Sequence, residues 1–255
     1  MWFVLTMRGG AESADAKRMS AEQKGEADVT VVLAHGGWAD GSSWNKVIAG
    51  LRSQGVKAVA APLPLTTLAD DVAMLDHVLE RLEGPVVVVA HAYAGAVIAS
   101  TMNEKVASLV YVTALAPDEG ETVADVYNWA MHHALAPVLG PDDHGLIWLP
   151  EEAFAAAFAQ QALPLEQALL AATQRPLAAA CIGVPVQRPL WKDHPSWFLV
   201  AEDDRMIPAE TQRFMAERMK ARVHRVPADH VPMITAVPAV VDLLLEAVRE
   251  VESSG

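Results

Sequence analysis

The sequence predicts an α/β protein built on a doubly wound, mostly parallel sheet with a helical cap insertion. Three observations predict it. Short β-branched runs alternate with amphipathic helical stretches, the pattern of a parallel sheet covered on both faces. One run, within VVVVAHAYAGAVIAS (Val86 to Ser100), stops at a turn of small residues and continues as a helix. From about Pro117 to Lys192 the pattern turns helical and no strand is expected, which marks an insertion.

Composition limits the function classes. A chain of 255 residues with 52% hydrophobic and 20% charged residues is globular and long enough for a substantial core. A net charge of −13 argues against a nucleic-acid or anionic-membrane surface, either of which needs clustered Lys and Arg. No apolar run reaches the ~18 residues of a membrane span. The one cysteine, Cys181, excludes an intrachain disulfide framework and suits a reducing compartment, so a cytoplasmic location is expected. Small-molecule chemistry by a monomer or homodimer is the expectation.

In chain order, residues 1–27 read as a disordered extension, because apolar Met1 to Met7 precede a polar run, the reverse of a signal peptide. Residues 28–255 read as one domain, with the insertion at about 117–192. Val29 to Ala34 is the first strand, ending at His35-Gly36-Gly37, and Asp40-Gly41-Ser42-Ser43 caps a helix through Leu51. Val56 to Ala61 is the next strand. Thr66 or Thr67 caps a helix whose Leu68, Val72, Leu75, Val78, Leu79 and Leu82 recur at helical spacing until Gly84. Val106 to Ala114 follows as strand. Val123 to His133, Glu151 to Gln161 and Leu165 to Ala180 are the expected helices of the insertion. The alternation resumes with Trp197 to Ala201, Ala209 to Lys220, Val223 to Val226 and Val237 to Val251 as strand, helix, strand and helix.

In such a sheet ligands bind at the carboxyl ends of the strands, so the loops there hold the chemistry. The turn Ala90-His91-Ala92-Tyr93-Ala94-Gly95 has the shape of a nucleophile elbow, where crowding admits only tiny side chains two places either side of the nucleophile. Ala92 occupies the nucleophile position and carries a methyl group. Backbone N–H groups at Gly37 or Trp38, with that of Tyr93, are the expected donors to an oxyanion. Asp204, in the acidic loop after the late strand, is the candidate orienting acid, and His230, after the last strand, the candidate base. Their order is nucleophile position, acid, base.

HGGWADGSSW, PLPLTTLADDV, AHAYAGAVIA, LVYVTALAPDEGETVADV, TQRPLAAAC and EDDRMIPAETQRFMAERM resemble the small bacterial α/β-hydrolase-fold proteins related to plant hydroxynitrile lyases and methyl-ester esterases. That family's elbow reads GHSYGG or GHSYAG, so Ala92 stands where the family has serine and Ala90 where it has glycine. The resemblance implies an ester-hydrolysing scaffold, with Asp204 and His230 as acid and base, Gly37 or Trp38 with Tyr93 as oxyanion donors, and the insertion as a cap.

Three readings stay open. The chain is an esterase or lactonase whose serine was replaced, an enzyme using a His230–Asp204 base without a nucleophile, or a ligand-binding protein that kept the pocket. His35 and Gly36, with Trp129 and Trp148 among the insertion aromatics Met131 accompanies (Phe154, Phe158, Trp191), are expected to line an apolar pocket. The expected ligand is a small apolar ester, lactone or related molecule. No phosphate loop or dinucleotide fingerprint appears, so no cofactor is expected, and adjacent His132-His133 with His144 do not make a metal site.

Overall fold

A computed structural model describes residues 28–254; the expected extension over 1–27 lies outside the described residues. Six strands form one parallel sheet in the order β2-β1-β3-β4-β7-β8. They are β1 (Thr30–Ala34), β2 (Lys57–Ala61), β3 (Val86–His91), β4 (Val106–Val112), β7 (Ser196–Ala201) and β8 (Arg222–Val226). The helices between them are α1 (Asn45–Ser53), α2 (Leu68–Glu80), α3 (Ala94–Ser100) and α7 (Ala209–Arg218), with α8 (Pro232–Thr235) and α9 (Val237–Ser254) closing the chain.

The four central strands β1, β3, β4 and β7 are buried on both faces because they are almost wholly apolar, whereas the edge strands β2 and β8 carry Lys57, Arg222 and Arg225 and are partly exposed. In β3, Val87 and Val89 pack into one core and Val86, Val88 and Ala90 into the other, as the two-residue side-chain period requires. β3 pairs with β1 from Thr30↔Val86 to Ala34↔Ala90, so the loops that follow the two strands emerge side by side. The strand order reverses there, which opens a crevice at the carboxyl edge.

Local chemistry sets the boundaries. Thr67 caps α2 by accepting from the Asp70 N–H at 3.0 Å. α3 starts directly after the elbow and is buried from Ala94 to Ala99.

The segment between β4 and β7 departs from its expected form. Its first helix, α4, is one capped turn (Val123–Tyr127) that ends far short of His133. Glu151–Ala153 (α5) passes into a π-helical turn, Phe154–Phe158, and α6 runs only over Pro164–Thr173. The expectation of no strand here is also corrected: β5 (Leu146–Ile147) and β6 (Leu177–Ala178) pair antiparallel. Runs of two residues carry no periodicity that a sequence reading can detect. Among the described residues no helix is long and apolar enough to cross a membrane.

Candidate active site

The elbow after β3 is tightly determined. Ala92 has φ +48°, a left-handed conformation that costs a non-glycine residue about 1–2 kcal/mol. Its carbonyl accepts from the N–H groups of Leu115 at 2.9 Å and Gly95 at 3.2 Å. A Cβ on Gly95 would collide with the Leu115 carbonyl. A Cβ on Gly36 would lie 2.9 Å from the Ala92 Cβ and 3.0 Å from His91 Nδ1. The glycine loop after β1 therefore rests directly against the elbow.

Asp204 and His230 meet across the end of the sheet. His230 Nδ1 lies 2.9 Å from Asp204 Oδ2, and both residues are buried. The second bond to that oxygen comes from Gln212 Nε2 at 2.8 Å. Asp204 Oδ1 accepts the N–H groups of Met206 at 2.8 Å and Ile207 at 3.0 Å. All four acceptor sites of the carboxylate are filled, which fixes its orientation and places the proton of the His230 ring on Nδ1. Nε2 is left with its lone pair. Phe158, on the π-helical turn, sits edge-on to the His230 ring at 5.1 Å.

Tyr93 is held from below. Its hydroxyl donates to Asp71 Oδ2 at 2.6 Å, while Asp71 Oδ1 accepts the Leu65 N–H at 2.7 Å. The Cys181 thiol lies 3.7 Å from Asp71 Oδ2. Burial raises the Asp71 carboxyl above the usual carboxylate range. Burial also pushes the Cys181 thiol up to about 12, which makes it a poor nucleophile. Sequence reasoning missed Asp71. Its signal was an acid at the i, i+3, i+7 spacing of Leu68 and Leu75, on the inward face of α2.

A cavity of about 470 Å³ opens over these groups. Gly37, Trp38, Ala92, Tyr93 and His230 line it, and no Lys, Arg, Asp or Glu does. The structure thus brings five of the expected residues to one space and seats Asp204 behind His230.

Four expected pocket residues lie elsewhere. His35 is fully buried beneath the loop, with Nδ1 2.9 Å from the Gly36 carbonyl, and Gly36 is occupied by its contact with the elbow. Trp129 is 46% exposed and stacks on Phe214 at 4.1 Å. Trp148 is 48% exposed and its indole N–H donates to Asp142. Phe154 and Phe158 pack inside the core, and Met131 projects outward. Large apolar residues in an insertion serve packing as readily as a pocket, and one sequence cannot separate the two uses.

Trp38 needs a further correction. Its backbone N–H donates to the Arg175 carbonyl at 3.0 Å and its indole N–H to the Ile147 carbonyl at 2.9 Å. That N–H is spent on the insertion. Among the described residues no backbone acceptor takes the N–H of Gly37 or of Tyr93.

The model of the alpha/beta hydrolase family matches residues 31–243. The chain belongs to that family. Solved structures of similar fold include polyneuridine aldehyde esterase, at 20% identity and TM-score 0.75 over 87% of this chain and 99% of that one. A pyrethroid hydrolase from Sphingobium faniae JZ-2 matches at 20% identity and TM-score 0.71, over 87% of this hydrolase-family chain and 98% of its own. A histidine-to-alanine variant of tomato methylketone synthase I, complexed with beta-ketoheptanoate, matches at 20% identity and TM-score 0.74, over 88% and 99%. Comparison with curated proteins by sequence finds no match.

Proposed function

We propose that this family member is an acid–base enzyme without a covalent nucleophile, acting on a small, neutral, largely apolar carbonyl compound. The observation that carries the reading is the fully bonded Asp204 carboxylate orienting His230 at the wall of an uncharged cavity, beside a methyl group where a nucleophile would stand. A protein that only binds ligand has no use for so complete an orientation of a base.

His230 Nε2 removes a proton from the carbon next to the substrate carbonyl, and the C–H electrons pass into the carbonyl to give an enolate oxygen. The N–H groups of Gly37 and Tyr93 form the oxyanion hole for that charge. The imidazolium, stabilised by Asp204, returns its proton to carbon or to a leaving group. The segment between β4 and β7 acts as the cap that keeps water from the site.

A second reading is an esterase or lactonase deprived of its serine. The strained φ of Ala92 favours it, since the elbow keeps the backbone that a nucleophile needs, and so do the esterases among the similar structures. Hydrolysis of aryl esters and lactones by the chain and by Ala92→Ser separates the two. A gain of ~10³-fold or more on restoring serine supports the esterase scaffold, because losing a triad nucleophile costs up to about a millionfold. If Ala92→Ser gains nothing while His230→Ala loses the activity of the original chain, the nucleophile-free reading holds.

A further inference from the structure

α6 is turned inside out relative to an ordinary surface helix. Its polar side chains are engaged with the protein: Glu166 Oε1 accepts from Lys46 Nζ on α1 at 2.6 Å, and Gln167 Nε2 donates to the Ala159 carbonyl at 2.9 Å. Just past the helix, the Gln174 amide exchanges two hydrogen bonds of 3.1 Å with the backbone of Leu149. Just before it, the Gln161 N–H donates to Asp229 Oδ2 at 2.8 Å, beside His230. These contacts pin the helix at both ends and fix which face it presents.

The outer face is apolar. Leu165 is 71% exposed and Leu169 54%, and with the exposed Ala168 and Ala172 they stand at i, i+3, i+4 and i+7, one contiguous stripe. The exposed Thr173 extends it, its hydroxyl spent on the Leu169 carbonyl at 2.8 Å. None of the ten residues of α6 is buried. A surface helix ordinarily turns such a stripe to the core, so this one suits a contact outside the chain. Charge and side-chain size say what covers it. The chain carries a net charge of −13, so two copies repel over most of their surface. The stripe has no ionic side chain, and Lys46 neutralises Glu166 at its flank. Along the stripe the sizes run large, small, large, small. A two-fold axis crossing the middle of the stripe sets Leu165 of each copy opposite Ala172 of the partner subunit. It puts Ala168 at the crossing, where a small side chain lets two helices approach closely.

We infer that α6 is the contact of a homodimer in which two copies of this chain pack the helix antiparallel about a two-fold axis, through Leu165, Ala168, Leu169 and Ala172. A contact confined to one helix lies at the small end of specific interfaces, so the dimer is weak and reversible. It is independent of the chemistry proposed for the cavity.

The test is sedimentation equilibrium of the full chain, which should dimerise with a Kd on the order of 10 µM. Leu165→Glu and Leu169→Glu should each weaken the dimer ~10-fold or more. Both side chains are exposed in the single chain, so far-UV circular dichroism of the dilute monomer should stay the same. Leu165→Ala removes the large residue and Ala172→Leu fills the space it enters, so each alone should weaken the dimer. The double variant exchanges large for small and should restore it. Met131→Glu, likewise at an exposed apolar residue but outside α6, should leave the dimer intact. A chain that stays monomeric up to ~1 mM overturns the inference, including one that instead binds neutral phosphatidylcholine vesicles. So does a dimer that survives both glutamate variants, a double variant that fails to restore it, or a dimer lost in Met131→Glu.

Discussion

His91 Nε2 lies 2.8 Å from the backbone carbonyl of His230, so the residue beside the elbow's methyl group holds the loop that carries the proposed base. The carbonyl only accepts, which places the His91 proton on Nε2 and leaves Nδ1 buried without a partner. Thr113 Oγ1 donates to the same carbonyl at 3.1 Å. The two histidine rings lie 4.7 Å apart. A proton on His91 would stand unpaired beside His230 in a water-excluded core.

Stability should therefore fall on mild acidification. Burial, followed by the proximity of His230, holds His91 well below its ordinary 6.5, and burial lowers His35 as well. The unfolded chain takes up these protons first as pH drops. The stabilisation is thus present above about pH 6.5 and lost below it. Asp71 and Asp229, which burial raises, act with the opposite sign from 3.8 upward, so the cleaner window lies above them. Melting temperature measured from about pH 7.5 to about pH 6 should decline, and less steeply in His91→Gln, whose amide can still donate to His230. Equal slopes in the two proteins would show that His91 does not titrate against folding.

Ala92→Gly should leave the fold intact and relieve the left-handed strain, raising stability by up to about 1 kcal/mol after glycine's greater unfolded-state entropy is subtracted. Urea unfolding reads this directly. A loss above about 1 kcal/mol would mean that the Ala92 methyl packs more than it strains.

Gln212→Leu removes one of the two groups bonded to Asp204 Oδ2 and frees the buried Ala201 N–H, which donates to Gln212 Oε1 at 3.0 Å. We expect a stability cost of about 1–3 kcal/mol and a fall of ~10-fold or more in kcat with KM little changed. An unaltered kcat would show that three hydrogen bonds orient the carboxylate as well as four.

Asp71→Leu should cost about 2–4 kcal/mol, because the Leu65 N–H and the Tyr93 hydroxyl lose a shared buried acceptor. Tyr93→Phe removes only one donor and should cost less. If the two variants are equally stable in thermal unfolding, the Leu65 contact contributes nothing.

Much of this was legible in the sequence, for physical reasons. The central strands β1 and β3 read as β-branched runs, and the order of Ala92, Asp204 and His230 followed from the loops after β3, β7 and β8. The family match and the six-stranded sheet bear out the fold class. What stayed hidden depends on partners distant in the chain. Nothing near Trp38 announces that the Arg175 carbonyl takes its N–H, and nothing near Asp71 announces Tyr93. Trp129 and Trp148 misled because hydrophobicity fixes neither the face nor the depth of a side chain in an irregular segment. The π-helical turn that brings Phe158 to His230 has a period too short-lived to read in five residues.

The central claim is that His230 works as a base where no nucleophile exists. The most direct measurement is α-proton exchange of a neutral methyl ketone in heavy water, followed by proton NMR, with the full chain, Ala92→Gly and His230→Ala. The full chain and Ala92→Gly should exchange the ketone ~10²-fold or more faster than buffer, and His230→Ala should match buffer. Exchange by His230→Ala at the full rate, or none by the full chain, would contradict the account.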